Sequence, residues 1–314
     1  LIAMALGVLL AGGALGAYLA GKRQYLYDDA AARILENGRY ATRLLARELE
    51  MSGFYAGLVG GKRPLAQGVG VDCNSGTWAL DARHPLELVD AHSGSGVPVT
   101  SGGTNLTCVD GTYVVPGSDL VAVKRTASEA SVAAGSALPD LTASRVPTWF
   151  LRTDHGLDPL WQIHRPADLP AAALLEPRYS YWEARARVFF LRDYAQYPGD
   201  GLPALCMEEL AGDAMLARCL VEGVEDMQFE FGVDTSGDGA VDSYRQNPSA
   251  AELAASRMVR VHLLLRSPYP LPGQHDDKTY FLGQKAVPGG GDRYMRRVFS
   301  STVILHNNSE VVLP

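Results

Sequence analysis

The first twenty residues are apolar throughout and carry no charge, and Lys22 and Arg23 follow at once. At 1.5 Å per residue a helix of that length spans roughly 30 Å, the thickness of a bilayer's hydrocarbon core. So greasy a surface cannot lie on the outside of a soluble domain. The helical pattern also runs on. No proline occurs between Gln24 and Ser52, and Ala31, Ile34, Leu35, Gly38, Ala41, Leu45 and Leu49 recur at helical spacing. The spacing predicts one rod, about 78 Å long over residues 1–52. It starts in lipid and ends as the spine of a folded domain, near a glycine at 53 suited to a left-handed cap.

A cleavable secretory signal would carry its basic residues before the apolar stretch. Here they follow it, which favours an uncleaved anchor. By the positive-inside rule Lys22 and Arg23 favour the cytoplasm. The four cysteines, Cys73, Cys108, Cys206 and Cys219, point the other way. They form no C-x-x-C pair and show no zinc-finger spacing, so disulfides in an oxidising compartment are expected. Three connectivities are open, and pairing of sequence neighbours, Cys73–Cys108 and Cys206–Cys219, is preferred. The 314 residues allow one or two domains with a sizeable core, and 47% hydrophobic with 20% charged residues marks the rest of the chain as globular. A net charge of −7 argues against a nucleic-acid partner.

Beyond residue 53 the texture changes to short apolar runs between Gly, Pro, Ser and Thr, as in antiparallel β structure. The chain is therefore read as α+β: a transmembrane half-helix (1–20), an amphipathic half (21–53) and a β-rich head (54–314). Candidate strands are 113–115, 120–125, 184–191, 227–233, 259–266, 279–282 and 297–305. Met227, Phe229, Phe231 and Val233 alternate with polar or small residues, which predicts a strand with one buried face. Long loops are expected at 92–104, 126–144 and 267–278, and a hairpin turn at 288–292. On the helix, Asp29 and Arg33 are spaced to pair, and Arg39, Arg43 and Arg47 continue the polar side. Gly12 and Gly16 form a G-x-x-x-G, a pattern that can allow close packing of helices in lipid.

The sharpest local motif runs from Asp234 to Asp242 and fits the first nine positions of an EF-hand-type calcium loop. Asp234, Ser236 and Asp238 would offer side-chain oxygens at positions 1, 3 and 5, and Gly239 sits at the sharp turn. The carbonyl of Ala240 would serve at position 7 and Asp242 at position 9. Ca²⁺ is the cofactor this donor set suits. Arg245 stands where a bidentate glutamate belongs, so affinity would be weak, on the order of 10⁻⁴–10⁻³ M. The competing reading is an Asp/Gly turn whose carboxylates cap backbone amides.

No catalytic motif is present: no G-x-S-x-G, H-E-x-x-H, P-loop or G-x-G-x-x-G. His262 lies in an apolar strand and reads as a core histidine. His155 beside Asp154 and Asp158, and His275 beside Asp276 and Asp277, read as solvated loops. Tyr179, Tyr181 and Trp182 read as strand packing. An enzyme is not expected.

Taken together, several stretches resemble the PilW family of type IV pilus minor pilins. They are the apolar start running into Lys22-Arg-Gln-Tyr25, then Leu35-Glu-Asn-Gly-Arg-Tyr40 and Leu45-Ala-Arg-Glu-Leu-Glu-Met-Ser-Gly53. Ser118-Asp-Leu-Val-Ala-Val-Lys-Arg125, Leu220-Val-Glu-Gly-Val-Glu-Asp-Met-Gln228, the run from Asp234 to Tyr244, and Arg296-Arg-Val-Phe-Ser-Ser-Thr-Val303 complete the set. The family opens with a basic leader and a glutamate in the first turn of the mature helix. Neither is here, which is expected of a chain that starts partway into that helix.

The resemblance implies a type IV pilin-like fold and a subunit held in the inner membrane with its head in the periplasm. It implies extraction into a priming complex with other minor pilins and the major pilin. That complex ends at the extracellular pilus tip and supports a large adhesin, in the service of adhesion and twitching motility. Two alternatives remain open: a minor pseudopilin of a type II secretion system, and a membrane-anchored periplasmic calcium-dependent binding module.

Overall fold

One helix, α1 (Ile2–Glu50), accounts for 49 residues and is about 73 Å long. In the computed structural model, which describes residues 2–58, 68–74, 76–133, 148–154, 162–165 and 178–308, every residue from 2 to 25 is exposed. Burial begins at Ala30 and continues through Ile34, Gly38, Ala41, Leu45, Glu48 and Leu49, one side chain per turn. That stripe keeps Ile34, Gly38, Ala41, Leu45 and Leu49 of the predicted apolar face, but Ala30 rather than Ala31 opens it, Leu35 is only half-buried, and Glu48 adds a charge. The helix stops as expected. Gly53 takes φ +74° and its amide donates to the Lys124 carbonyl at 3.1 Å, which ties the cap to the head.

The head is built from thirteen described strands in antiparallel ladders. β1 (Leu86–Val89), β2 (Leu120–Thr126), β3 (Phe150–Thr153), β4 (Gln162–His164), β5 (Ser180–Arg192), β6 (Ala204–Ala211) and β7 (Ala214–Glu222) form the first sheet. β5 is 13 residues long, enough to hold β2 on one edge and first β3, then β6, on the other. The second sheet has the order β13-β10-β8-β9, from β8 (Val224–Val233), β9 (Ser243–Arg245), β10 (Ser256–Arg266) and β13 (Arg296–Ile304). A short helix, α2 (Ala250–Ala254), joins β9 to β10, and β11 (Thr279–Leu282) and β12 (Lys285–Pro288) make a separate hairpin.

Alternation along the strands divides the core. Val121, Val123, Phe189, Leu191 and Met207 of the first sheet meet Leu45 and Leu49 of α1 and Phe229, Phe231, Val261 and Leu263 of the second. Their sequence neighbours Leu120, Ala122, Val188 and Phe190 point the other way, into a cluster with Trp78, Trp149 and Leu151. The first sheet is thus covered on both faces, and the second half of α1 packs one face into the head and leaves the other exposed. Gly38 makes that close seating possible. A Cβ there would overlap the Phe299 ring of β13.

Several sequence expectations are corrected. Residues 113–115 are not a strand: Gly111–Tyr113 is a 3-10 turn, capped by the Asp110 carboxylate accepting from the Thr112 amide. β8 is not one-faced. Asp226, Gln228 and Glu230 on its other face are buried too, where Gly283 of the β11–β12 hairpin lies against Glu230, Lys285 reaches Asp226, and Gln228 donates to the Gly117 carbonyl. The hairpin turn falls at Gly283, φ +62°, between β11 and β12, and residues 289–292 instead lead on to β13. Strands β1, β3, β4, β6, β7, β9 and β12 carry too few residues, or too many polar ones, to stand out by pattern. Part of the expected loop at 126–144 lies outside the described residues.

Candidate functional site: the helix–head junction and the 234–242 loop

β8 ends at Val233 and delivers Asp234, 4% exposed, to the mouth of the loop. Its carboxylate accepts from the Gly237 amide at 2.6 Å, the Gly239 amide at 2.9 Å and the Ser236 hydroxyl at 3.4 Å. Arg257, at the start of β10, donates twice to Oδ2, at 3.1 Å. Burial pushes this carboxyl up, but those amides and the guanidinium outweigh it and hold it below the ordinary carboxylate range. Gly237 and Gly239 have φ of +77° and +89°, the left-handed turns that bring both amides round to Asp234.

The other predicted donors are placed differently. Asp238 accepts from the Ala240 amide at 2.8 Å. Asp242 Oδ2 accepts from the Thr235 amide at 2.8 Å, the Thr235 hydroxyl at 2.7 Å and the Ser236 amide at 2.9 Å. Ser236, Asp238, Ala240 and Asp242 are exposed, while Val241 turns back against Gly232. Among the described residues no group of three or more His, Cys, Asp or Glu side chains is arranged to hold a metal ion. In this conformation the loop is closed by its own amides and by Arg257.

The junction between helix and head is the more heavily built site. Glu48, 3% exposed, receives a two-pronged bond from Arg125 of β2, at 3.0 and 2.7 Å, and a third from Arg187 of β5 at 2.5 Å. Arg187 continues to Glu209 of β6, which Arg218 of β7 reaches at 3.2 Å. Burial raises the Glu48 carboxyl, yet the Arg125 hydrogen bond and the charges of Arg187 and Arg125 hold it below its ordinary value. One carboxylate from the helix thereby locks onto the inner strands of the first sheet.

A second clasp holds the helix nearer its exposed half. The segment after β10 crosses α1, where the Tyr269 hydroxyl donates to Asp29 at 2.5 Å and the Tyr27 hydroxyl donates to the Pro272 carbonyl at 3.2 Å. Asp29 keeps its predicted partner Arg33 at 3.0 Å. Arg296 anchors the far side of this excursion. It is gripped by Glu225, Asp292 and Asp276, with contacts from 2.5 to 3.0 Å. Asp276, expected on a solvated loop, is therefore 1% exposed, whereas His275 and Asp277 pair at the surface at 3.1 Å. His155 and Asp158 lie outside the described residues. His262 bonds Ser300 at 2.8 Å and faces Glu230 at 3.4 Å, bracing β13, β10 and β8.

The disulfides are Cys73–Cys108 and Cys206–Cys219, and no cysteine is free. The second joins facing residues of β6 and β7, across a bulge beside Leu205. Tyr181 is buried in strand packing, as read from sequence.

Residues 188–307, from within β5 to just beyond β13, match the family model described as Type IV Pilus-assembly protein W. These are the residues of the second sheet, the β6–β7 ribbon, the 234–242 loop and the Arg296 anchor. No curated protein matches the chain. A solved type IV-like pilin from Thermus thermophilus is similar at 13% identity and a TM-score of 0.40, covering 88% of this chain and 97% of its own. Among the described residues, α1 is one helix long and apolar enough to cross a membrane, with a mean hydropathy of 2.0 in its apolar window.

Proposed function

We propose that this chain is a structural minor subunit of a type IV pilus, inserted in the inner membrane with its head in the periplasm. From there it joins a priming complex that starts assembly and finishes at the pilus tip beneath an adhesin. The observation that carries the reading is the division of α1. One unbroken helix has a first half that touches nothing in its own head and a second half locked into the core through Glu48. Such a part can exchange lipid for neighbouring helices without unfolding. The disulfides suit an oxidising periplasm.

The test is the protein's presence in sheared pilus fractions, together with loss of surface pili on deletion of its gene. Loss of protein secretion with pili intact would instead mark a pseudopilin.

We further propose that the 234–242 loop takes Ca²⁺ weakly, through Asp234, Ser236, Asp238, Ala240 and Asp242. Hard oxygen donors around two left-handed glycines suit that cation. Arg257 and Ca²⁺ would then compete for the Asp234 carboxylate. Calorimetry should show binding only near millimolar calcium, tightened several-fold by Arg257→Gln. No heat at millimolar calcium in either protein sinks the proposal.

A further inference from the structure

The face of α1 turned away from the head carries Arg39, Arg43 and Arg47 at four-residue spacing. All three are exposed, and among the described residues none meets a carboxylate. Arg43 only donates back to the Arg39 carbonyl, at 3.4 Å. The arginines used inside the head behave otherwise: Arg125, Arg187 and Arg296 each grip at least one acid. Leu35 flanks the arginine row on one side and Tyr40 and Leu44 on the other, with Tyr40 52% exposed. Together with Ala32 and one acid, Glu36, these side chains line an open groove of about 590 Å³.

We propose that this groove seats a parallel helix from a different subunit, one that presents carboxylates at four-residue spacing. Three cations at i, i+4 and i+8 outnumber the single acid among them, Glu36, and fit acids repeating at the same interval, with Leu35 on one flank and Tyr40 and Leu44 on the other as apolar contacts. The orientation follows from the membrane half of the same helix: a neighbour anchored in the same bilayer enters from the same end. A second copy of this chain fits poorly. At equal depth in the bilayer it would set Arg39, Arg43 and Arg47 against themselves. Lipid head groups are also a poor fit, because Arg39 lies about 28 Å along the helix from Ala20. The inference rests on the reading of this chain as a pilus subunit and adds the chemistry of its neighbour.

The experiment uses the full chain in its own membrane, with Tyr40→p-benzoylphenylalanine as a photo-crosslinker and mass spectrometry of the joined peptides. The expected product is a helical peptide of another membrane-anchored subunit with two or more acids four residues apart. Arg39→Glu, Arg43→Glu and Arg47→Glu together should lower its yield about tenfold, and Lys at the partner's acids should restore it. Non-reducing mass analysis of the disulfides shows that the head still folds. Crosslinks to a second copy, to lipid or to a peptide without acids overturn the inference, as does a yield indifferent to charge reversal. Sheared pili separate the two readings. Presence in pili without the acidic-helix product overturns this inference alone; the product without incorporation into pili overturns the pilus reading.

Discussion

Gly12 and Gly38 lie on the same helix and live in opposite surroundings. Nothing lies within 4 Å of where a Cβ at Gly12 would stand, and the same is true of Gly16. At Gly38 a Cβ would run into the Phe299 ring. The first half of α1 is smooth, apolar and unengaged; the other half is fitted to one head and held there by two carboxylates, buried Glu48 and, nearer the exposed end, Asp29. A helix with two such halves needs two kinds of partner, the outer one supplied by something other than its own fold. Lipid satisfies the outer half by burial alone, whereas the inner half depends on specific atoms. Mutation should tell the halves apart sharply.

The largest effect belongs to Glu48. Glu48→Ala leaves Arg125 and Arg187 buried beside an absent partner, a situation that costs about 3–5 kcal/mol. The head should unfold at markedly lower urea, or release α1 to protease while its sheets persist. An unchanged midpoint would mean that the clamp is not what joins helix to head.

Gly38→Val comes next. The helix cannot move away from Phe299 without opening the layer around Leu45 and Leu49, so overpacking of about 1–3 kcal/mol is expected. Phe299→Ala should relieve part of that cost in the double variant, and simple addition of the two effects would break the argument.

Titration separates two buried carboxylates. Glu48 is held below its ordinary 4.5, so the stability it contributes is present above that pH and fades as pH falls through the lowered native value. Asp119 is fully buried and accepts from the Ala91 amide at 2.9 Å and the Phe229 amide at 2.8 Å. Burial pushes it from 3.8 up to about 7. Between those values the native head holds a proton that the unfolded chain has released, so stability falls as pH rises from about 4 to 7. Asp119→Asn should flatten that slope, by at most about 1.4 kcal/mol per pH unit, in urea midpoints taken across the range. A slope unchanged in the variant would place the proton elsewhere.

Much of this is legible in the residue order, for unequal reasons. The helix is plain because only a helix turns a 3.6-residue period, kept over so many turns, into a single apolar face. The pattern picks out β8 but not its second face, because nothing local shows that a hairpin far downstream, through Gly283 and Lys285, will cover Glu230 and Asp226. Glu48 is open to suspicion, since it continues the spacing of Gly38, Ala41 and Leu45 as a charge on an apolar stripe. Its partners are long-range, and no periodicity reports them. The stretches that carry the family resemblance turn out to meet in pairs. Glu48 and Arg125 come from two of them, and Glu225 and Arg296 from two others. The 234–242 loop shows its turns in its glycines, but Arg257 is invisible there because it arrives from another strand.

The smallest expected effect tests the outer half. Gly12→Leu with Gly16→Leu adds two side chains where no neighbour lies within 4 Å. Helix propensity gains slightly, by under about 1 kcal/mol per site, so the head's urea midpoint and disulfides should not move. Any consequence must come from outside the chain: small residues matter in lipid because they let a second backbone approach. The double variant should therefore insert and fold as before, yet join assembled pili less efficiently, read as the ratio of pilus-bound to membrane-bound protein. A shift in the midpoint would show that the outer half reports to the head after all. An unchanged ratio would show that these glycines are merely tolerated and that the approach face lies elsewhere on the rod.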